Sequence, residues 1–449
     1  MLRNFDKIKL ADATLYEYAL ANLGMDLDLH KDIQLRDFYK SEKYHTSVSK
    51  EFSPYTHKKQ QAVFRKFLQE YNLQITSESS SFSKHNPPVM CDCEIDVDVF
   101  VKIYQSAVIF AINDNYKICL EINRYANGNF AYVLHSSKSN DNFLNELDMY
   151  ASANNVYKCK KISCTGKFLQ LDDLSWDDVI LKDGVKDTIV SNIDEMFRLR
   201  DKFKTHGITV KRGIILHGEP GTGKTKICKC LAKDANYSVL YALPSDFNNT
   251  SSIRNVCDMA KDLSPCLLVL EDIDWIAQDR SKSGPFVMEL MNKIDGIESF
   301  GDVITLATTN CLEDLENAVK NRPGRFDRLI KIDLPNNKAI KKMIERFTHR
   351  HIIDADVDIE FLTKCCENLS GAHINDLCIT AAVFAVKTES LEGDKLLLKK
   401  HHFDEAIKEI KNKNYSSYLE MQSKGKNAGF QGKGYQYTVD QYLIDDEDI

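Results

Sequence analysis

No stretch of this 449-residue chain approaches the roughly 20 consecutive apolar residues that a membrane-spanning helix needs. The longest apolar runs fall near residues 108–112 and 381–386. A secretory signal pattern is missing as well, because Arg3, Asp6 and Lys7 interrupt the start. Positive charge is not in excess. Lys and Arg number 59 against 66 Asp and Glu, a net charge of −7, which leaves no global basic footprint for nucleic acid. None of the 13 cysteines stands in C-x₂-C spacing, and their number is odd. Cys91 with Cys93, and Cys159 with Cys164, come nearest to paired sites. Cys119, Cys266 and Cys378 lie in apolar segments, as reduced thiols used as small apolar side chains do. These absences predict a cytoplasmic protein with no membrane span, and they argue against nucleic acid as a partner.

Against that background one segment carries specific chemistry. Gly218-Glu219-Pro220-Gly221-Thr222-Gly223-Lys224-Thr225 fits the phosphate-binding pattern G-x-x-x-x-G-K-[ST]. The apolar run 213–216 precedes it, and a helical pattern follows from Lys224, through Lys226, to Asp234. In that strand–loop–helix setting the glycines let backbone N–H groups curl around a phosphate chain, with the helix N-terminus behind them. Lys224 can reach the β- and γ-phosphates, and the Thr225 hydroxyl can ligate Mg²⁺.

Downstream, the apolar run 266–270 ends in Glu271-Asp272, and such a run reads as a buried parallel strand. Acids at its carboxyl end face the place where α/β sheets bind ligands, one to hold the Mg²⁺ shell and the other to orient a water. A third strand over 303–308 ends at Thr309-Asn310, whose amide can help position that water. Then comes Asn321-Arg322-Pro323-Gly324-Arg325-Phe326-Asp327-Arg328, a run able to bring guanidinium forks to a transferring phosphoryl group.

The order phosphate loop, acidic strand end, Thr-Thr-Asn and Arg-Pro-Gly-Arg-Phe-Asp-Arg resembles the AAA ATPases, from Ser175 to about Lys413. The resemblance implies an α/β fold, a P-loop NTPase parallel sheet over about 175–335 with a helical lid over 336–413. It implies ATP and Mg²⁺ as ligands. Lys224 and the 221–223 backbone would hold the phosphates, Thr225 and Glu271 the metal. Asp272 would serve as the water-orienting base with Asn310 assisting. Arg325 and Arg328 would act on a neighbouring subunit's nucleotide. Val179 and Ile180 match the backbone that contacts adenine, and Gly371-Ala372 the sensor-2 turn. A homo-oligomeric ring follows, a hexamer or, for one subgroup, a heptamer. That subgroup is the mitochondrial Rieske-protein translocase type. Residues 179–186, 200–208 and 211–213 and the acid order Glu271-Asp272 look like it, whereas the two arginines look like the proteasomal and segregase-like members. The loop 244–252 lacks the aromatic–hydrophobic–Gly triplet of many unfoldases, and Phe247 in it reads as a core residue.

The remaining chain is expected to organise around this module. Residues 1–78 read as helical, with a helix at about 13–23 and another near 58–71, and 79–89 as a linker. Residues 90–174 read as a small α+β domain with hairpins at 113–115 and 127–128. The tail 414–449 reads as flexible with an acidic end, and His401 and His402 as part of a solvated helix face. The expected function is ATP hydrolysis coupled to remodelling or translocation of a protein substrate, the substrate or adaptor itself being unknown. The alternatives are a nucleic-acid motor, supported locally by Arg280 and Lys282, and a slow nucleotide switch or scaffold.

Overall fold

The alternating segments of the first third form an antiparallel sheet. In this computed structural model the described residues are 35–40, 45–80, 86–126, 128–171, 175–207, 211–247, 250–274, 302–312, 326 and 328–410. The chain divides into two units. The larger runs to Ile332 without Ile180–Lys182 and Pro220–Thr222; these two segments group with the smaller unit, from Asp333 onward.

The larger unit begins with a short helical stretch at 35–39. Then come β1 (His45–Phe52), α1 (Pro54–Glu70), β2 (Gln74–Ser79), β3 (Val89–Asp96), β4 (Val99–Ile112), β5 (Lys117–Arg124), β6 (Phe130–Ser136) and α2 (Phe143–Ala153). The strands follow the order β1-β6-β5-β4-β2, with β3 also paired to β4, all antiparallel. Ser53 caps α1 by accepting from the Thr56 N–H at 3.2 Å, and Pro54 sits in the first turn, where its missing donor costs nothing. Helices α1 and α2 bury Phe64, Phe67, Phe143 and Leu147 with Leu120, Tyr132 and Leu134 of the sheet. Each such side chain contributes roughly 2 kcal/mol by leaving water.

This corrects the reading of residues 1–78 as helical and of 79–89 as a linker. β1 and β2 are strands, Ser79 ends β2 and Val89 opens β3. Both misread strands terminate the main strand order, and their polar sequences, HTSVSKEF and QITSES, are those of sheet edges, with few apolar residues to signal a strand. The helix expected at 13–23 lies outside the described residues.

A second, parallel sheet follows: β7 (Lys161–Ser163), α3 (Val185–Arg198), α4 (Arg200–Thr205), β8 (Lys211–His217), α5 (Lys224–Asp234), β9 (Ser238–Ala242), α6 (Thr250–Asp262), β10 (Cys266–Leu270), β11 (Val303–Thr309) and β12 (Arg328–Lys331). The strand order is β12-β8-β11-β10-β9-β7, every neighbour parallel. All five side chains of β10 are buried, as a strand covered on both faces requires. This is the P-loop NTPase arrangement of alternating strands and helices. The edge strand β7 lies before residue 175, in the stretch read as part of the small α+β domain. Its three residues, Lys-Ile-Ser, are too few to carry a pattern.

The antiparallel and parallel parts share one buried cluster, in which Tyr55 and Tyr157 pack with Leu240, Ile253 and Leu268. At its edge Asp262 of α6 accepts from the Tyr55 phenol at 2.9 Å and from Asn155 Nδ2 at 3.0 Å. It also pairs with Lys59 Nζ at 3.2 Å. The Lys59 side chain is only 5% exposed, so the pair is largely desolvated, with Asp148 at 3.7 Å and the Ser152 hydroxyl at 2.9 Å as further partners. Asp262→Ala should therefore destabilise folding by about 3 kcal/mol. A shift of the denaturant midpoint worth less than about 1 kcal/mol would show that the node is not a strut.

The smaller unit holds α7 (Asn337–Thr348), β13 (Ile352–Ile353), α8 (Ile359–Cys365), α9 (Gly371–Lys387), β14 (Leu391–Glu392), β15 (Lys395–Leu398) and a helical stretch at 400–410. Ile340, Ile344, Leu377, Ala381 and Phe403 form its core. The expected helical lid thus also carries a three-stranded sheet, β13-β15-β14. His402 is fully buried rather than solvated; its Nε2 lies 2.9 Å from the Thr388 hydroxyl, and its Nδ1 accepts from the Lys399 N–H. The tail 414–449 lies outside the described residues. No helix among the described residues is long and apolar enough to cross a membrane.

Candidate nucleotide site

The strand order creates the site. From β8 the chain crosses beyond β11 and β10 to β9, returns through β10 and β11, and adds β12 on the other flank of β8. The carboxyl end of β8 is thus a topological switch point, where α/β sheets leave a ligand crevice. The loop starting at Gly218 leaves β8 at that point. A β-carbon on Gly218 would lie 2.1 Å from the Ile332 carbonyl oxygen, so only glycine lets the loop pass this close to the chain leaving β12. Gly223, at φ +97°, takes the left-handed turn that aims the N-terminus of α5 back at the loop. The first turn of α5 contains no acid, so no side chain of the turn itself offsets the positive dipole end of the helix.

Lys224 is buried, and its Nζ donates to the carbonyls of Gly218 at 2.7 Å and Glu219 at 2.9 Å. Burial lowers its pKa, and the carboxylates of Asp272, Asp274 and Glu219 oppose that shift. Thr225 and Lys226 are exposed on the first turn of α5, while Thr222 is buried.

The acids follow β10. Glu271 is 9% exposed and its Oε1 accepts from the Tyr241 phenol of β9 at 2.6 Å. Burial, then the Cys228 and Glu271 groups, push the Tyr241 pKa far up, so the phenol stays a donor. Asp272 adopts φ +46°, rare for a residue with a side chain, and its N–H donates to Thr308 Oγ1 at 2.9 Å. Its carboxyl pKa is raised, first by burial and then by Asp274, against the lowering effect of Lys224 and Asn310. Asn310, exposed at the end of β11, places its Nδ2 3.5 Å from Asp272 Oδ1. Asp274 is buried, and its Oδ1 has no hydrogen-bond partner among the described residues. A buried, unsatisfied carboxylate oxygen is costly unless a cation compensates it. Among the described residues no three acids converge on one metal position, but oxygen donors from Glu271 and the Thr225 turn fit Mg²⁺, which is usually held by one or two protein groups together with substrate phosphates.

The larger unit therefore brings together Gly218, Lys224, Glu271, Asp272 and Asn310. Tyr241, Thr308 and Asp274 also belong to this group, and sequence reasoning passed over them. Asp274 was legible as the last acid of Glu-Asp-Ile-Asp. Tyr241 was not, because only strand pairing puts it beside Glu271. Val179 lies in the larger unit, at the end of a single turn, Trp176–Asp178. Arg328 is exposed at the start of the terminal strand β12. Arg325 lies outside the described residues, as do Arg280 and Lys282. Phe247 is 3% exposed in the core, as read from the sequence.

In the smaller unit the Gly221 carbonyl accepts from the Ala372 N–H at 3.1 Å. A β-carbon on Gly221 would lie 2.6 Å from Ser370 Oγ and 2.7 Å from Ala372 Cβ. The loop tip Pro220-Gly221-Thr222 is thus seated on the first turn of α9, which brings Gly221, Gly371 and Ala372 together. Ile180 packs on the core of this unit, and Lys182 pairs with Asp333 at 2.9 Å.

Comparison with known proteins supports this geometry. Residues 214–334 match the model of the family described as "AAA: ATPase family associated with various cellular activities (AAA)". The chain is similar to the proteasome-activating nucleotidase of Methanococcus maripaludis, 30% identical over 267 residues, covering 56% of this chain and 63% of the relative. The protein of that name from Methanothermobacter thermautotrophicus is 33% identical over 201 residues, 42% of this chain and 49% of its own. That from Saccharolobus solfataricus is 30% identical over 199 residues, 41% and 50%. The chain spans less than two thirds of the length of these relatives. The loop at 218–225, the acidic end of β10, the polar end of β11 and the parallel strands β9 to β12 all fall within the segment, residues 214–334, that matches the AAA ATPase family model.

Proposed function

We propose that the protein is a Mg²⁺-dependent ATPase that works as a homo-oligomeric ring in the cytoplasm and uses hydrolysis to remodel or translocate a protein substrate. The observation that carries this reading is the set Lys224, Glu271, Asp272 and Asp274 at the carboxyl end of the parallel sheet, with one carboxylate oxygen left unpaired. The N–H groups of the loop and of the first turn of α5 bind the phosphates, and the Lys224 ammonium transfers from its own loop carbonyls to the phosphate oxygens. Thr225 and Glu271 would hold Mg²⁺, which would supply positive charge to the transferring phosphoryl group. Asp272 accepts the proton of the attacking water, a task suited to a carboxylate whose pKa burial has raised. The Asn310 amide orients that carboxylate.

The resemblance assigns the adenine to Val179 and Ile180 and the lid turn to Gly371 and Ala372. Arg328 and Arg325 would serve the nucleotide of a neighbouring protomer, a reading that the exposure of Arg328 on the terminal strand β12 supports. Six subunits is the number that the resemblance implies. Seven is that of the Rieske-protein translocase type, with which the Glu271-Asp272 order is shared. The proteasome-activating nucleotidases found as relatives favour a protein substrate. Because Phe247 is buried, it does not supply an aromatic grip on a threaded chain.

Turnover per protomer measured across a dilution series tests the ring. It should be constant at high concentration and collapse as the oligomer, followed by light scattering, dissociates. Full turnover by a dilute monomer would remove the proposal.

A further inference from the structure

We infer that Tyr241 is a positioning residue for Glu271, fixing the carboxylate so that a single oxygen is presented to the metal. The inference rests on the proposed role of Glu271 at Mg²⁺. Tyr241 lies on β9 in parallel register with Val269 of β10, the strand that delivers Glu271. Its ring is 5% exposed, and its hydroxyl donates to Glu271 Oε1 at 2.6 Å. The Glu271 N–H donates to the Ala242 carbonyl at 3.0 Å, so main chain and side chain of Glu271 are both tied to β9.

A glutamate has one more rotatable bond than an aspartate would have at this position, and that freedom must be lost before its carboxylate can act as a ligand. The phenol removes it in advance and occupies Oε1, leaving Oε2 for the cation. Asp272, next in the chain, is set by a different device. Its reach is adjusted through the backbone, by φ +46° and the bond from its N–H to Thr308 Oγ1. Adjacent acids of unequal length are thus each fixed by a partner on a neighbouring strand, Tyr241 from β9 and Thr308 from β11.

Tyr241→Phe tests this, because the ring stays and only the hydroxyl is lost. ADP is the probe, titrated with and without Mg²⁺, with Mn²⁺ binding followed by electron paramagnetic resonance. Partners that orient metal ligands are worth about 10–100-fold in metal affinity. The Mg²⁺ concentration for half-maximal ADP binding should rise about tenfold, with ADP affinity in excess chelator unchanged. Glu271→Asp reads the same contact from the other side, since it keeps a carboxylate too short to reach the phenol. It should raise the Mg²⁺ requirement similarly, and the double variant should add nothing further.

Tyr241→Phe with an unaltered Mg²⁺ requirement and an unaltered melting temperature would overturn the inference. So would full additivity with Glu271→Asp, which would place Tyr241 on another path. Should Tyr241→Phe fail to fold, Tyr241→Leu, which also removes the hydroxyl, is titrated in the same way, and an unaltered Mg²⁺ requirement would overturn the inference. Wild-type protein that binds ADP equally with and without Mg²⁺ would instead remove the metal reading itself.

Discussion

Lys224→Ala should weaken ATP binding at least about a hundredfold while the protein stays folded. In the present structure the ammonium is held by two carbonyls of its own loop and faced by the carboxylates of Asp272 and Asp274. It is thus a cation kept in a largely dry site in advance of its ligand. A charge-assisted contact to a phosphate is worth roughly 3 kcal/mol where water is excluded, which corresponds to the expected loss. The fold should survive because alanine is the best helix former and position 224 opens α5. Calorimetric titration with a slowly hydrolysed ATP analogue, beside a melting curve, checks both halves. Near-wild-type affinity in a folded variant would contradict the phosphate-loop assignment.

Asp272→Asn should bind ATP with Mg²⁺ at close to wild-type affinity and lose about 10³-fold in turnover, the range for removal of a general base. An amide of the same shape keeps the contact with Asn310 but cannot accept the water's proton. Glu271→Gln should behave differently, raising the Mg²⁺ concentration for half-maximal rate more than it lowers the limiting rate. If the two phenotypes come out exchanged, the roles of the adjacent acids are inverted. Complementation extends the test to the ring. Arg328→Ala subunits should bind ATP and turn over slowly, and mixing them with Asp272→Asn subunits should restore some active interfaces, because each defect then sits on a different protomer. No recovery on mixing would place Arg328 outside the reaction.

These predictions draw unequally on sequence and structure. The strand–loop–helix geometry at Gly218–Thr225 was fully legible, because a tight turn, a close backbone approach and a cation at fixed spacing leave a contiguous signature. Glu271, Asp272 and Asn310 were legible because buried parallel strands announce their carboxyl ends. Tyr241 and Thr308 gave no signal, since what they do depends on which strand lies beside β10. The polar edge strands β1 and β2 passed for helix and linker for want of an apolar face. His402 looked like surface because its neighbours are lysines, and only its packing within the smaller unit revealed a buried ring.

Local pattern by itself determined the strand–loop–helix around Gly218–Thr225, the order of the motifs that resemble an AAA module, and the buried strands that end at Glu271-Asp272 and Thr309-Asn310. Those properties rest on interactions between residues close in the chain or on the burial of continuous runs, and both are written in short windows. Only the tertiary structure decided that β7 extends the parallel sheet, that Asp262 gathers Tyr55, Lys59 and Asn155 into one node, and that Glu271 is tethered by a phenol from β9. Each of these joins residues far apart in sequence. Such contacts are selected by register and shape once the sheets have formed, and no periodicity in a single segment encodes them.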